Sequence, residues 1–424
     1  MKSKALTKST VAYDFDIVVV GGGMVGACTA ALLAADPELS RFRVAMLEAS
    51  PAVLPDDTEI DLRVSAISRA SERILSAIGA WQLIPAAFLS PYSEMIVWDE
   101  SARPRGPGSI HFSASESSEP NLGHIVENRR IQHAIYEVPS FRRVTHLRTS
   151  LQSMQFESER VELGLSDGRK LSCGLVIGAD GVESLSRKLA GIETVGRRYD
   201  QSAFVTHVRT EHSHQQTAWQ RFLKEGPIAF LPLADGRSSI VWTTRPEHAT
   251  ELVTADPREV AQQIERAIDG IFGNVVIAGP RGQFPLRWAH ADSYCANRFA
   301  LVGDAAHAVH PLAGQGVNLG FLDAAALVQV LSEGLTDAIG NDVLGEHRLL
   351  RRYERWRKTE NAVALGLIDG LNRLFSNSDP VRRWIRSAGL TSIDRAQLLK
   401  HLLMSRAMGT AGELPIIARR APSL

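Results

Sequence analysis

The chain has 424 residues, of which 44% are hydrophobic, so it is long enough for two or three domains with a large core. Its 47 Lys and Arg balance its 47 Asp and Glu, so no overall charge attracts it to nucleic acid. Its cysteines are isolated, which predicts no metal site and no disulfide framework and indicates a reducing compartment: Cys28, Cys173 and Cys295. No secretory signal or run of about 18 apolar residues stands out.

The first predicted elements are a strand, a glycine-rich turn and a helix. Residues 16–20 are apolar and β-branched, which is typical of a buried parallel strand. They lead into a GxGxxG pattern at Gly21, Gly23 and Gly26. There the first glycine allows a tight turn, the second lets a pyrophosphate approach, and the third lets the helix pack on the strand. The pattern predicts a dinucleotide site, with an ordinary glycine-rich turn as the alternative.

A second strand favours the dinucleotide interpretation. Residues 27–35 continue as a helix of small side chains, and residues 43–47 form an apolar strand that ends at Glu48. Glu48 lies 22 residues after Gly26, close to the interval of about 20 residues at which a carboxylate meets the adenosine ribose. We therefore assign Glu48 to the ribose.

A comparable strand end lies in the middle of the chain. Residues 175–177 are apolar and run into Gly178, and a polar turn follows. This turn supplies Asp180, Gly181, Ser184 and Arg187. We assign Asp180 and Gly181 to the same nucleotide site.

The third strand end is the most informative. Residues 300–302 run into Gly303 and Asp304, which places a carboxylate at the tip of a buried strand, where a ribityl hydroxyl can donate to it. The next loop leads into a helical pattern, whose first N–H groups can bind a pyrophosphate or a flavin carbonyl. The loop and helix residues assigned to the cofactor are Pro311, Gly314, Gln315, Gly316, Val317 and Asn318.

These three motifs, in this order, resemble those of the flavoprotein aromatic hydroxylases with the para-hydroxybenzoate hydroxylase fold. A narrower resemblance, to the ubiquinone-biosynthesis hydroxylases, covers about residues 14 to 410. It is carried by residues 62–67, 123–128, 230–233, 310–320 and 352–355. The resemblance implies FAD, O₂ and NADPH or NADH, and hydroxylation of a polyprenylated phenol or benzoquinol through a flavin C4a-hydroperoxide. It does not specify the ring position, and no separate fingerprint for the nicotinamide is found.

The implied fold is α/β. It has a Rossmann-like FAD-binding domain of the glutathione-reductase type, an inserted mixed or antiparallel β-sheet domain for the substrate, and C-terminal helices. Because the motifs must meet at one cofactor, we assign residues 14–75, 105–190 and 280–345 to the FAD domain. Residues 76–104 and 191–279 then form the substrate domain, and residues 346–424 the helical region. Strands over 92–98, 200–209, 228–233 and 238–244 would roof the flavin ring, with a helix over 255–271 on their far side.

Several side chains are candidates for direct contacts. Arg63 is a candidate for the FAD phosphates or ribose, against a surface ion pair with Asp61 or Glu59. The resemblance implies a flavin contact at Asn128 or at the neighbouring Arg129. His310 and Pro311 are pocket candidates. So are Phe230 and Trp242 on the roof strands, for which burial in the strand core is the alternative. His307 we interpret as structural rather than as a base.

The C-terminal helices, broken at Pro380 and Gly389, carry apolar and basic residues at helical spacing. A cap packed on the flavin domain is favoured over a surface that binds an anionic membrane or a partner. The expected protein is cytoplasmic, reaching its lipid substrate at the inner face of the membrane or within a multi-enzyme ubiquinone-biosynthesis complex; its oligomeric state is not predicted.

Several other functions compete with that of a hydroxylase. A flavin-dependent halogenase is disfavoured because no WxW pair is present among the seven tryptophans. The remaining alternatives are a hydroxylase of a small soluble phenol, a flavin reductase or oxidase, and a flavin-bearing scaffold subunit without turnover.

Overall fold

The computed structural model describes residues 13–50, 53, 58–308, 316–337, 343–375 and 396–420. Its strands are β1 (Phe15–Val20), β2 (Val44–Leu47), β3 (Val64–Ser68), β4 (Ser90–Tyr92), β5 (Glu94–Asp99), β6 (Ser109–Ser113), β7 (Gly123–Glu127), β8 (Thr145–Leu147), β9 (Leu151–Phe156), β10 (Val161–Leu165), β11 (Lys170–Gly178), β12 (Thr194–Thr210), β13 (Thr217–Leu223), β14 (Gly226–Pro232), β15 (Ser238–Thr244), β16 (Val275–Ala291), β17 (Cys295–Ala296), β18 (Phe299–Leu301) and β19 (His307–Ala308). Its α-helices are α1 (Met24–Ala35), α2 (Arg69–Ala77), α3 (Asn128–Glu137), α4 (Leu185–Leu189), α5 (Pro246–Thr254), α6 (Pro257–Ala267), α7 (Gly316–Asp337), α8 (His347–Phe375) and α9 (Gln397–Ala407).

The first sheet carries the three predicted nucleotide motifs. Its main order is β17-β18-β11-β1-β2-β8, and β18, β11, β1, β2 and β8 run parallel. The strands β9 and β10 extend it from β11 as an antiparallel meander. Helices α1, α3 and α7 pack together beside the sheet and bury an apolar core with it. The apolar strands 16–20, 43–47, 175–177 and 300–302 all lie in this sheet, which confirms the expected fold class.

The second sheet has the order β19-β16-β12-β15-β14-β13-β5-β6. It is mixed, because β13 and β5 are parallel while the other neighbours are antiparallel. The predicted strands over 200–209, 228–233 and 238–244 belong to it as β12, β14 and β15. The segment 92–98 is not one strand: Tyr92 ends β4 in a separate sheet, β3-β7-β4, and β5 begins at Glu94.

Two segments assigned to the FAD domain pair in the second sheet instead. They are β6, at residues 109–113, and the C-terminal half of β16, beyond residue 280. Pro280 and Pro285 interrupt the local strand pattern of β16. The strand nevertheless continues, with shifts in register, because it is long enough to pair with β12 over most of its length. The other predicted domain boundaries stay predictions.

The face of the second sheet that lies under α5 and α6 forms its own hydrophobic core. Phe230 of β14 is fully buried there, and its ring stacks on that of Phe272 with the centroids 4.8 Å apart. Trp242 of β15 lies in the same core, edge-on to the ring of His248. The predicted helix over 255–271 corresponds to α6, and it packs on this face as expected.

Two helices of the C-terminal part, α7 and α9, pack against the rest of the protein. A segment of α7, Gly316–Thr336, is long and apolar enough to cross a membrane by length and composition, but 72% of its most apolar window is buried, as in a core helix. Helix α9 packs Met404 against the small sheet, and Lys400 pairs with Glu116 at 2.8 Å. This contact fits the packed cap. The helix breaks expected at Pro380 and Gly389 lie outside the described residues.

We expect Phe230→Ala to lower the free energy of unfolding by about 3–5 kcal/mol, because it leaves a cavity in the core under α5 and α6. Chemical denaturation, followed by the fluorescence of the tryptophans, would measure the loss. Leu402→Ala, at an exposed position on α9, is the control for removal of a large apolar side chain. Equal stability of the two variants would contradict the described packing.

Candidate active site

A cavity of about 390 Å³ lies between the first sheet and the second sheet. Its floor is formed by the three nucleotide motifs, at Gly23, Met24, Val25, Ala179, Gly181, Val302, Asp304, Gly316 and Val317. Its roof is the face of the second sheet turned away from α5 and α6, with Ala203, Val205, Ala229, Leu231, Ser239 and Val241. Its side wall contains Leu62, Arg63, Val64, Ser65, Asn128, Phe284 and Leu286.

The three fingerprint glycines occupy the positions that their predicted roles require. Gly21 has φ +102°, in the region that favours glycine. A Cβ on Gly26 would lie 2.0 Å from the carbonyl oxygen of Gly21, so only glycine lets α1 approach β1 this closely. A Cβ on Gly23 would meet nothing within 4 Å. The second glycine therefore faces open space, at the uncapped N-terminus of α1.

Glu48 is fastened to the glycine loop. Its Oε2 accepts a hydrogen bond from the N–H of Gly22 at 2.8 Å, and its Oε1 accepts one from the N–H of Ser50 at 3.0 Å. The carbonyl oxygen of Gly22 accepts from the Tyr136 hydroxyl at 2.9 Å and from Nε2 of Gln132 at 2.7 Å. Nothing in the sequence pointed to Gln132 and Tyr136 of α3, because the loop that they hold is more than 100 residues away along the chain.

Asp180 and Arg187 hold the middle motif together. The carboxylate of Asp180 accepts from the Ser184 hydroxyl at 2.6 Å and from the Ser186 N–H at 2.9 Å, which fixes the turn before α4. The buried guanidinium of Arg187 donates to the Ala305 carbonyl at 2.7 Å. This bond joins the middle motif to the third one. Gly181, at φ +78°, lines the floor, and a Cβ on it would meet nothing within 4 Å.

Asp304 lies in a tight turn at the end of β18. Gly303, at φ +61°, begins this turn, and Asp304 presents its side chain to the cavity. The carboxylate is open to the cavity, but the protein that encloses the cavity desolvates it and raises its pKa above the usual range, although the charges of His307 and Arg63 oppose the shift. The position suits hydrogen bonds from hydroxyl groups of a bound molecule.

Behind this turn lies a fully buried cluster centred on Asp323 of α7. Its Oδ2 accepts from the Gly303 N–H at 3.1 Å and pairs with Nε2 of His307. Its Oδ1 accepts from Nε of Arg357 at 2.8 Å and from Nδ2 of Asn361 at 3.0 Å. Burial by itself would raise the pKa of Asp323, but His307 and Arg357 hold it below the ordinary range. His307 is thus part of a buried structural cluster, and the partners of Asp323 on α8, Arg357 and Asn361, had no signal in the sequence.

Other candidate residues for the cofactor fall into two groups. Arg63 lines the cavity with its guanidinium 5.3 Å from the ring centre of Phe284, and Asn128 lines it too. Arg129 does not line the cavity: it is half exposed and forms an ion pair with Asp61 at 3.3 Å. Asp61 was one of the alternative partners considered for Arg63. The structure thus favours Asn128 over Arg129 as a group that faces the cavity.

Asn318 holds the start of α7 against β3. Its Oδ1 accepts from the Ser68 N–H at 2.9 Å, and its Nδ2 donates to the Ala66 carbonyl at 2.8 Å. Its neighbours Gly316 and Val317 line the floor. His310, Pro311, Gly314 and Gln315 lie outside the described residues.

Of the two interpretations of Phe230 and Trp242, the structure favours burial in the strand core, because neither residue lines the cavity. Both lie in the core under α5 and α6, on the opposite face of the sheet. Because side chains alternate along a strand, their neighbours Ala229, Leu231 and Val241 face the cavity. The sequence shows which side chains of a strand share a face of the sheet, but it does not show which of the two faces the helices cover.

The residues present fit FAD. The open space at Gly23 and the uncapped start of α1 would receive the pyrophosphate, and Asp304 would accept from the ribityl chain. Gly181, which also has open space where a Cβ would be, lets a flat group approach the floor.

We expect Gly23→Ala and Gly26→Ala to separate cofactor binding from folding. Gly23→Ala leaves the thermal unfolding midpoint of the apoprotein unchanged and weakens FAD binding, because its methyl group occupies only the open space. Gly26→Ala lowers the midpoint itself, because its methyl group collides with the Gly21 backbone. Thermal melts of both apoproteins and FAD titration by flavin fluorescence test this. Normal FAD affinity in Gly23→Ala would contradict the assignment.

We expect Asp323→Asn to destabilise the protein by about 3–5 kcal/mol, because it leaves the buried Arg357 charge without its carboxylate. Asp167→Asn, which breaks the exposed ion pair with Arg169, is the control and has no measurable effect. Denaturant unfolding of both variants checks the prediction. Equal stability would show that the cluster does not hold the turn.

Comparisons with known proteins match most of the chain. The model of the FAD binding domain family matches residues 14–362. The chain is 35% identical over 398 residues to 3-demethoxyubiquinol 3-hydroxylase of Escherichia coli (strain K12), covering 93% of this chain and 98% of that protein. It is 36% identical over 441 residues to the human mitochondrial ubiquinone biosynthesis monooxygenase COQ6, covering 93% and 92%.

Solved structures show the same fold. The p-nitrophenol 4-monooxygenase PnpA from Pseudomonas putida DLL-E4 superposes with a TM-score of 0.73 at 18% identity, covering 94% of this chain and 98% of that one. PqsL of P. aeruginosa, in complex with 2-aminobenzoylacetate, gives a TM-score of 0.70 at 23% identity, covering 89% and 99%. The similarity to these hydroxylases covers nearly the full length of the chain, and the chain carries the FAD motifs. It therefore belongs to the family of FAD-dependent ubiquinone-biosynthesis hydroxylases.

Proposed function

We propose that this protein is an FAD-dependent monooxygenase that hydroxylates the ring of a polyprenylated phenol or benzoquinol in ubiquinone biosynthesis. The observation that carries the proposal is the cavity itself. The three nucleotide motifs form its floor, and a nearly apolar roof faces them. A flavin on the floor and an apolar ring under the roof would lie face to face. NADPH or NADH is proposed as the electron donor and O₂ as the source of the oxygen atom.

Each part of the cavity has a separate task. When bound, FAD supplies the redox chemistry that transfers one oxygen atom from O₂ to the ring. Asp304 accepts a hydrogen bond from the ribityl chain, and Glu48 lies at the end of β2, where the adenosine ribose is expected. Arg63 adds a positive charge at the side wall. The roof keeps water from the reacting ring, so that reduced oxygen is not lost as hydrogen peroxide.

The roof also favours a lipid ring over a small acidic phenol. Among the described lining residues, the roof has no charged side chain, and Arg63 is the cation of the side wall. Binding a carboxylate under the roof without a cationic partner would cost much of its hydration energy. A neutral prenylated ring has no such cost. Hydroxylation of a soluble phenol is therefore the weaker candidate.

A membrane-dissolved substrate requires approach from the bilayer surface. On α8, the side chains of Arg348, Arg351 and Arg355 are exposed and lie on one side of the helix. Such a basic face is attracted to anionic lipid. We therefore include peripheral contact with the inner face of the membrane, directly or within a multi-enzyme complex, in the proposed function.

We expect cells that lack this gene to accumulate a prenylated phenol one oxygen atom short of the next ubiquinone intermediate. Mass spectrometry of lipid extracts would identify it, and its fragments would give the ring position. The wild-type gene clears the compound, and Asp304→Ala does not, because the ribityl chain loses its acceptor. Asp167→Ala, which removes an exposed carboxylate that does not line the cavity, is the matched control. Normal ubiquinone with no precursor, in cells without a second hydroxylase gene, would contradict the proposal.

A further inference from the structure

One polar group in the roof has no partner within the protein. Ser239 of β15 lines the cavity and is completely buried, and its hydroxyl has no hydrogen-bond partner. The described residues beside it in the roof, including Leu231 and Val241, are apolar. A buried hydroxyl without a partner costs about 1–3 kcal/mol, so its presence calls for an explanation.

The position of Ser239 on the sheet explains why no protein group reaches it. Its neighbours across the strands are His207 on β12 and Leu231 on β14. The side chain of Leu231 has no polar atom, and the hydroxyl of Ser239 forms no hydrogen bond with the imidazole of His207. Because Ser239 lines the cavity, a rotation about its Cα–Cβ bond would present the hydroxyl to a molecule that lies there.

We propose that Ser239 is a substrate-positioning residue, whose hydroxyl forms a hydrogen bond with an oxygen atom on the aromatic ring of the substrate. This inference rests on the proposed hydroxylase function. One directional bond in an otherwise apolar roof fixes the rotation of the ring in its plane. It thereby selects the carbon atom that faces the flavin. The ring oxygen is the only polar group that a prenylated phenol offers there.

The surroundings of Ser239 select a neutral oxygen. His207 is also completely buried, and this burial, together with the charge of Arg237, lowers its pKa to about 4. The imidazole is thus uncharged at neutral pH, and it faces the same side of the sheet as Ser239. Two neutral polar groups suit a phenol, quinol or methoxy oxygen, and they offer no charge to a carboxylate.

The chain supplies a matched control in the adjacent residue. Ser238 is also completely buried, and its hydroxyl also lacks a partner. It lies on the opposite face of the sheet, in register with Val208, which belongs to the core under α5 and α6. Ser238→Ala therefore makes the same chemical change outside the cavity.

The test compares the binding of two ligands to the FAD-loaded enzyme. One is a short-chain prenylated phenol, and the other is the same prenylated ring without its oxygen; equilibrium dialysis measures both dissociation constants. We expect the wild type and Ser238→Ala to prefer the phenol, and Ser239→Ala to lose roughly 2- to 12-fold of that preference, the value of one neutral hydrogen bond. Affinity for the ring without oxygen stays the same.

Product analysis gives the second readout. In Ser239→Ala the fraction of consumed NADPH or NADH that appears as hydroxylated product falls, and hydrogen peroxide rises, because the ring is less well held. Thermal stability does not fall, since the lost hydroxyl had no protein partner. Equal ligand preference and equal coupling in Ser239→Ala and Ser238→Ala would overturn the inference. Absence of hydroxylation by the wild type would instead overturn the proposed function.

Discussion

The buried carboxylate of Asp323 is the constraint on which the cofactor side of the molecule depends. A desolvated charge is tolerated only where its oxygens are fully paired. Here the partners come from the turn after β18 and from α8, through the Gly303 N–H, His307, Arg357 and Asn361. None of these groups can move alone without exposing an unpaired charge, so they are held as one unit. The position of Asp304 in the cavity is set from behind by this unit.

The motifs are also held in place by side chains that bind backbone atoms. Arg187 links the middle motif to the carbonyl of Ala305, and Asn318 links the start of α7 to β3. Glu48 and Tyr136 hold the glycine loop through Gly22. A bond to the backbone fixes the path of the chain whatever side chain is carried there. Segments almost 300 residues apart thereby form one continuous floor.

The cofactor side could be predicted from sequence because its requirements are local. A tight turn at Gly21 and the approach of α1 at Gly26 depend on a few adjacent residues. The substrate side could not be predicted to the same degree. It is evident from the sequence that successive side chains of β14 and β15 face opposite sides of the sheet. Only the packing of α5 and α6, however, decides that Phe230 belongs to the core and Leu231 to the cavity. Likewise, the pairing of β16 with β12 overrides its prolines.

The charged side chains that line the cavity are unevenly distributed, and this distribution affects the kind of molecule that each part can bind. These side chains, Arg63 and Asp304, lie at the side wall and the floor, while the described part of the roof is neutral. Charges stabilise a cofactor whose own charge changes during turnover, and they act strongly where water is scarce. An uncharged ring gains nothing from them and is held by shape. In such a roof the hydroxyl of Ser239 is sufficient to orient the ring, because the other described residues that line the roof are apolar.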